Sequence, residues 1–333
     1  MTTSRIAALL TALAATACAS KAPERRIVAE RWDTLGLITP RSVQDTTLLE
    51  VHDVVPWNGN YAVVDGNDRS IRYVTKRGKL IWTFRRIGSG PGELRSIYRT
   101  GVGPDGRLWV YDGRNAKLLE LDDGGAVVRD RSLHHLPVTP ANFAFLGDRL
   151  VVQTLSPDPF LLVLDTTTLA VVRAVPWPWS QPVTPDVDFN TSMAAGGGAV
   201  VAALHRGPGF LVLKADGGME LHRYVVDIPW QYKYSPQRRA ARRDSTWLAA
   251  VAVTVDSGHI YMLFGGRPRM ASHPWVEPTR LIDVYDVGGA YLRSYRLPSH
   301  FKKMTRDDDG AFVLWNESEE GLPQIWRFRP VAR

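Results

Sequence analysis

The sequence predicts an all-β fold: a six-bladed β-propeller closed by an N-terminal strand that completes the last blade. Three observations predict it. After residue 26 helical periodicity is scarce, and short runs rich in Val, Ile, Leu, Tyr and Trp are cut by Gly, Pro, Asn and Asp, the pattern of strands and turns. A strand that follows a Gly- or Asn-containing turn recurs six times, at Tyr61, Leu108, Leu150, Val200, Ile260 and Phe312, with spacings of 47, 42, 50, 60 and 52 residues. Finally, the last unit lacks one strand, which the segment before the first unit can supply, removing the open sheet edges of an unclosed ring.

The elements follow in chain order. Residues 6–17 are uncharged and mostly apolar behind the single charge of Arg5. Twelve such residues are too few to cross a ~30 Å hydrocarbon core as a helix, but they suit the apolar region of a signal peptide. The run ends in Ala15-Thr16-Ala17-Cys18, and Cys18 is the one cysteine of the 333-residue chain. A disulfide framework and a cysteine-based zinc site are therefore excluded. Residues 1–17 are read as the signal segment, 18–26 as a tether and 27–333 as the propeller. Removing residues 1–17 takes away Arg5 and lowers the formal net charge from +7 to +6.

Residues 27–32 are the expected closure strand, with the first unit beginning near Thr47. The best-formed unit spans 101–128. There Pro104-Asp105-Gly106 makes a turn, 108–111 a strand, Asp112-Gly113-Arg114-Asn115 a second turn and 118–121 a second strand. In every unit the landmark strand is followed by another apolar run, at 71–74, 118–121, 161–164, 210–213, 281–285 and 325–328. The sixth unit has room for three strands, near 302–306, 311–315 and 325–328. The 60-residue interval between Val200 and Ile260 is read as an insertion rather than a seventh blade, since no seventh landmark occurs in it.

Two local patterns carry family resemblances. Ala15-Thr16-Ala17-Cys18 resembles a bacterial lipobox, with Ala15 where Leu is commonest. That resemblance implies a lipidated Cys18 and a membrane anchor; with no Asp at Ala19 or Ser20 it implies an outer-membrane destination, facing the periplasm or the cell surface. More than one acyl chain would make such an anchor stable. In the second unit, Pro104-Asp105-Gly106-Arg107-Leu108-Trp109-Val110, then Asp112, Asn115, Lys117 and Leu118, then Asp123-Gly124, resemble an NHL-type repeat of six-bladed propellers. The preceding Gly88-Ser89-Gly90-Pro91-Gly92-Glu93 resembles the link common before such a blade. Lys117 stands where the family usually has Arg, and the first unit keeps Asp65 and Ile71 but shifts Asn67 and Arg69. The specific match covers two of the six units. It implies the fold and little about activity, because propellers host lyases, lactonases, sensors and scaffolds alike. In lactonase-type propellers a Ca²⁺ is held by Glu, Asn and Asp at the inner strand ends; Asp53, Asp65, Asn115 and Asn190 are scattered candidates for a Ca²⁺ in the channel.

Residues 230–243 form the most unusual segment: Lys233, Arg238, Arg239, Arg242 and Arg243 lie among Trp230, Tyr232 and Tyr234. Cations beside aromatics suit anionic or sugar-like ligands, or lipid headgroups. Nucleic acid fits the chemistry but not an exported location. Residues 265–278, with His273 and Trp275, read as a long hairpin loop near the mouth of the ring. The loop at 88–93 lacks the Gly-Lys-Ser/Thr ending of a phosphate-binding P-loop. Asp307-Asp308-Asp309-Gly310 lacks the alternating ligands of an EF-hand and reads as a solvated turn. His134-His135, the one adjacent histidine pair, would face opposite ways on a strand. No HExxH or Gly-x-Ser-x-Gly motif occurs. The leading expectation is a non-catalytic, membrane-tethered binding or scaffold module for a protein, a sugar polymer or an anionic ligand. The alternative is a metal-dependent hydrolase or lyase working in the central channel.

Overall fold

The computed structural model describes residues 25–28, 31–43, 48, 50–179, 190–226, 228, 248–266 and 280–331. Cys18, residues 230–243 and residues 267–278 of the second loop lie outside the described residues. Strands β1 (Ile27–Val28) and β2 (Trp32–Ile38) come first, before a short helix, Pro40–Val43. Blade one is β3 (Val51–Trp57), β4 (Asn60–Asp65), β5 (Ser70–Val74) and β6 (Leu80–Phe84). Blade two is β7 (Ile97–Val102), β8 (Leu108–Asp112), β9 (Lys117–Leu121) and β10 (Val127–Ser132). Blade three is β11 (Pro140–Leu146), β12 (Arg149–Thr154), β13 (Leu161–Asp165) and β14 (Val171–Val175). Blade four is β15 (Thr191–Gly196), β16 (Ala199–Leu204), β17 (Gly209–Lys214) and β18 (Met219–Arg223). Blade five is β19 (Leu248–Val255), β20 (His259–Gly266), β21 (Leu281–Asp286) and β22 (Tyr291–Arg296). Blade six is β23 (Lys303–Arg306), β24 (Phe312–Glu317) and β25 (Pro323–Pro330) with β2 as its fourth strand.

The landmark strands are the second strands of the six blades, and their burial explains their apolar runs. In β4, Ala62 and Val64 pack into the gap with blade two, whereas Tyr61 and Val63 pack into the gap with blade six. A strand covered on both faces has no polar side to alternate with. Six buried clusters fill the six gaps in turn, one, two, three, four, five, six and back to one. The chain therefore closes on itself as a six-bladed β-propeller, with the core lying between blades rather than at a single centre.

Closure differs from the sequence expectation in which residues perform it. Trp32–Ile38, not 27–32, pairs antiparallel with β25 and completes blade six. Ile27–Val28 pairs instead in parallel with the outer strand β22 of blade five. Trp32 decides the register: its ring meets Phe312 and Phe328 of blade six and Tyr295 of blade five edge-on, at 5.7, 6.2 and 5.9 Å, and its Nε1 donates to the Arg296 carbonyl at 2.6 Å. Just upstream, Arg25 makes a two-pronged ion pair with buried Asp283, at 2.9 and 2.6 Å, and lies 4.2 Å over the Phe264 ring. The end of the expected tether is thus docked on blade five.

Asp112 and Lys117 of blade two tie its turns together. Asp112 accepts the backbone N–H groups of Arg95, Ser96, Arg114 and Asn115 and the Asn115 amide, at 2.7–3.2 Å. Lys117 donates to Asp130 and to the Gly90 carbonyl, both at 2.9 Å. The loop at 88–93 is the connection from blade one to blade two. Among the described residues no helix is long and apolar enough to cross a membrane.

Candidate functional site

The six inner strands, β3, β7, β11, β15, β19 and β23, pack around the central channel. Four of them carry the same distortion near their start. Pairing with the second strand shifts between Val51 and Asp53, Ile97 and Arg99, Pro140 and Asn142, and Ala250 and Ala252. A bulge bends its strand and re-aims the following side chain, and such features gather beside functional sites. The residues placed just beyond it are Asp53, Arg99, Asn142 and Ala252. Ser192 and Lys303 stand at the starts of β15 and β23. All six line one cavity of about 560 Å³, within the range of small-molecule sites.

The polar members are linked across the channel. Asp53, only 5% exposed, accepts the Thr100 hydroxyl at 3.1 Å and faces the Arg99 guanidinium at 3.4 Å. The other Arg99 prong crosses to blade four and donates to the Met193 carbonyl at 2.8 Å. The buried Nε of Arg99 has no hydrogen-bond partner. Lys303 donates to the His52 carbonyl at 2.9 Å. Asn142 donates to the Thr191 carbonyl at 3.0 Å, and the Ser192 hydroxyl lies 2.9 Å from His205 Nε2. Arg306 also lines the wall but is engaged by Asp256 and lies 4.5 Å over the Tyr261 ring.

The titration of these groups follows from that arrangement. Burial alone would raise the Asp53 carboxyl, but Arg99 and then Lys303 outweigh it and hold it below the usual range. Burial pushes the Lys303 ammonium down; Asp53 opposes this and the like charge of Arg99 adds to it. Burial, with Lys303 beside it, also lowers the His52 imidazole, which is therefore neutral near pH 7.

Several sequence candidates fall elsewhere. Of Asp53, Asp65, Asn115 and Asn190, Asp53 alone lines the cavity. Asp65 receives the backbone N–H groups of Asn67 and Asp68, both at 3.0 Å, in the turn of blade one. Asn115 bonds Asp112 at 2.7 Å and the Gly88 carbonyl at 3.1 Å. Ca²⁺ takes six to eight oxygen ligands. The described wall offers one carboxylate, already paired, so the scattered set does not converge as a Ca²⁺ site there. Asp307, Asp308 and Asp309 do cluster, but in the turn between β23 and β24, where Lys76 and Arg327 pair with them. His134 and His135 follow β10 in a loop; His135 contacts the Leu169 carbonyl at 3.0 Å. Cys18, Trp230, Lys233, Arg238, Arg239, Arg242 and Arg243 lie outside the described residues. Sequence reasoning missed Arg99, Asn142, Ser192 and Lys303, each an ordinary polar residue near the start of an inner strand.

Fold and cavity together define a six-bladed β-propeller with a polar, cation-bearing channel mouth. No protein-family model matches the chain, and no curated protein matches it. Solved structures do. A Bacteroides fragilis protein named for its expected export is 12% identical, covering 93% of this chain and 98% of its own, with a TM-score of 0.61. A member of the DUF4221 family from Bacteroides vulgatus is 11% identical, covering 93% and 99%, with a TM-score of 0.63. The virginiamycin B lyase of Staphylococcus aureus is 13% identical, covering 85% and 82%, with a TM-score of 0.52. At these identities the likeness establishes the fold.

Proposed function

We propose that this protein is an exported, lipid-anchored binding module that takes its ligand at the mouth of the propeller channel. The observation that carries the reading is the convergence of Asp53, Arg99, Asn142, Ser192 and Lys303, from five inner strands, on one cavity. Side chains drawn from separate strands of a closed ring are held by the packing of every blade, which preorganises a binding surface. Export is supported by the uncharged run at 6–17 and by the fold shared with the B. fragilis protein. Anchoring rests on Cys18 at the end of that run, and the basic segment holding Trp230, Lys233, Arg238, Arg239, Arg242 and Arg243 would add an electrostatic hold on anionic headgroups. A metal-dependent hydrolase or lyase in the same channel would need further oxygen or imidazole donors around Asp53, which Arg99 and Thr100 already occupy.

The test is a thermal-shift screen of the full chain in detergent against citrate, glucose 6-phosphate and maltose, with Asn142→Ala/Ser192→Ala as the comparison. A saturable rise in Tm that the double variant weakens supports the reading. A rise of equal size in both proteins places the ligand elsewhere and overturns it.

A further inference from the structure

We infer that the channel mouth holds a small anion, with its carboxylate or phosphate group seated between Arg99 and Lys303. This rests on the binding-module reading above and names the chemistry of its ligand.

The charged side chains on the described cavity wall are Asp53, Arg99, Lys303 and Arg306, with His205 beside them. Arg306 is neutralised by Asp256 at the edge of the cavity. That leaves two cations and one carboxylate on the wall itself, with the Glu50 carboxylate acting on Lys303 from outside the wall. The cations are also short of acceptors. A lysine ammonium has three N–H donors, and Lys303 places one, on the His52 carbonyl. A guanidinium has five; Arg99 places one well, on Met193, and one at 3.4 Å from Asp53, beyond an ordinary N–H···O bond. Its Nε places none. Buried or half-buried cations whose donors are unfilled are costly, and an added anion relieves both the missing bonds and the mutual repulsion. Burial is the main cause of the depressed Lys303 ammonium; Asp53 and Glu50 oppose it, and the like charge of Arg99 adds to it.

The rest of the cavity suits a small organic anion. Asn142 and Ser192 offer an amide and a hydroxyl on the adjoining wall, while Val55, Ala144, Ala194 and Val253 make apolar patches below. The recurrent bulge brings Asp53, Arg99 and Asn142 to this level in three consecutive blades. Asp53 then also serves to hold the Arg99 guanidinium across the channel rather than free in solvent.

The experiment is isothermal titration of the full chain in detergent with citrate, with inorganic phosphate and with maltose, at low and high NaCl. The expected result is one-to-one binding of citrate or phosphate that is at least ten-fold weaker in Lys303→Met and recovers to within a few-fold in Lys303→Arg. Citrate alone assigns the group as carboxylate, and phosphate alone assigns it as phosphate. The inference is overturned if neither anion binds at millimolar concentration, or if both bind Lys303→Met as tightly as the wild type. Maltose binding at the mouth without anion binding would also overturn it, while leaving the binding-module reading intact.

Discussion

Two buried aspartates show how differently one residue type is used in this molecule. Asp112 closes a turn: its carboxylate takes four backbone N–H groups and a side-chain amide. Asp112→Ala should cost about 1–3 kcal/mol by leaving those donors unsatisfied, whereas Asp148→Ala, at an exposed side chain, should stay within about 0.5 kcal/mol; urea midpoints check both. Asp53 instead balances cations, and its pH behaviour follows. Its folded carboxyl titrates below its unfolded value, so the stability it contributes is complete above about pH 4 and is lost as pH falls further. Wild type should lose more stability than Asp53→Asn below about pH 4. Lys303 has the opposite sense: its folded ammonium gives up its proton earlier than the unfolded one. Stability should therefore rise with pH between its depressed pKa and the ordinary lysine value, and this rise should vanish in Lys303→Met. Asp112 was legible in sequence because Arg114 and Asn115 beside it complete a turn of a known repeat, although its other partners, Arg95 and Ser96, lie 16–17 residues upstream. Asp53 was legible only as one of four scattered channel candidates, and Arg99 and Lys303 not at all, because their meaning depends on a meeting of strands that lie far apart in the chain.

At the scale of elements, the second and third strands were readable throughout. A strand buried on both faces must be continuously apolar, and its flanking turns announce themselves through Gly, Asn and Asp. The closure strand was displaced by several residues, since both 27–32 and Trp32–Ile38 contain apolar runs. What separates them is pairing with β25, almost three hundred residues away, and the edge-on seat of Trp32 between two blades. Removing residues 1–31 should therefore leave a folded ring, whereas removing 1–38 should expose the β25 edge and cause aggregation; size-exclusion chromatography distinguishes the outcomes. Strand approach also fixes small residues. A Cβ added to Gly209 would lie 1.8 Å from the His222 carbonyl oxygen of the paired strand. Gly209→Ala should destabilise by about 1–3 kcal/mol or more by prising β17 from β18, read as a lower thermal midpoint.

For the whole molecule, the interlocking of six gaps means that no blade has a core of its own. Stability belongs to the ring, and the channel cavity is framed by the same closure. The proposed anchoring is tested at the N-terminal end of the chain. Cys18→Ser should move the protein from the membrane fraction to the soluble fraction, measured by immunoblotting after cell fractionation. Exchanging Arg238, Arg239, Arg242 and Arg243 for Ser should weaken binding of the unlipidated Cys18→Ser protein to anionic vesicles, most clearly at low salt.

The docking of Arg25 on Asp283 has a mechanical consequence. A pull on the N-terminus does not reach the closing strand first. It loads a charged hook set in the side of blade five, and then the two-residue parallel pairing of β1 with β22. Both are small contacts that can yield and re-form while β2 stays seated in blade six. Tension from an anchored leash would thus be absorbed one blade away from the seam, and the ring could be tugged without being unzipped.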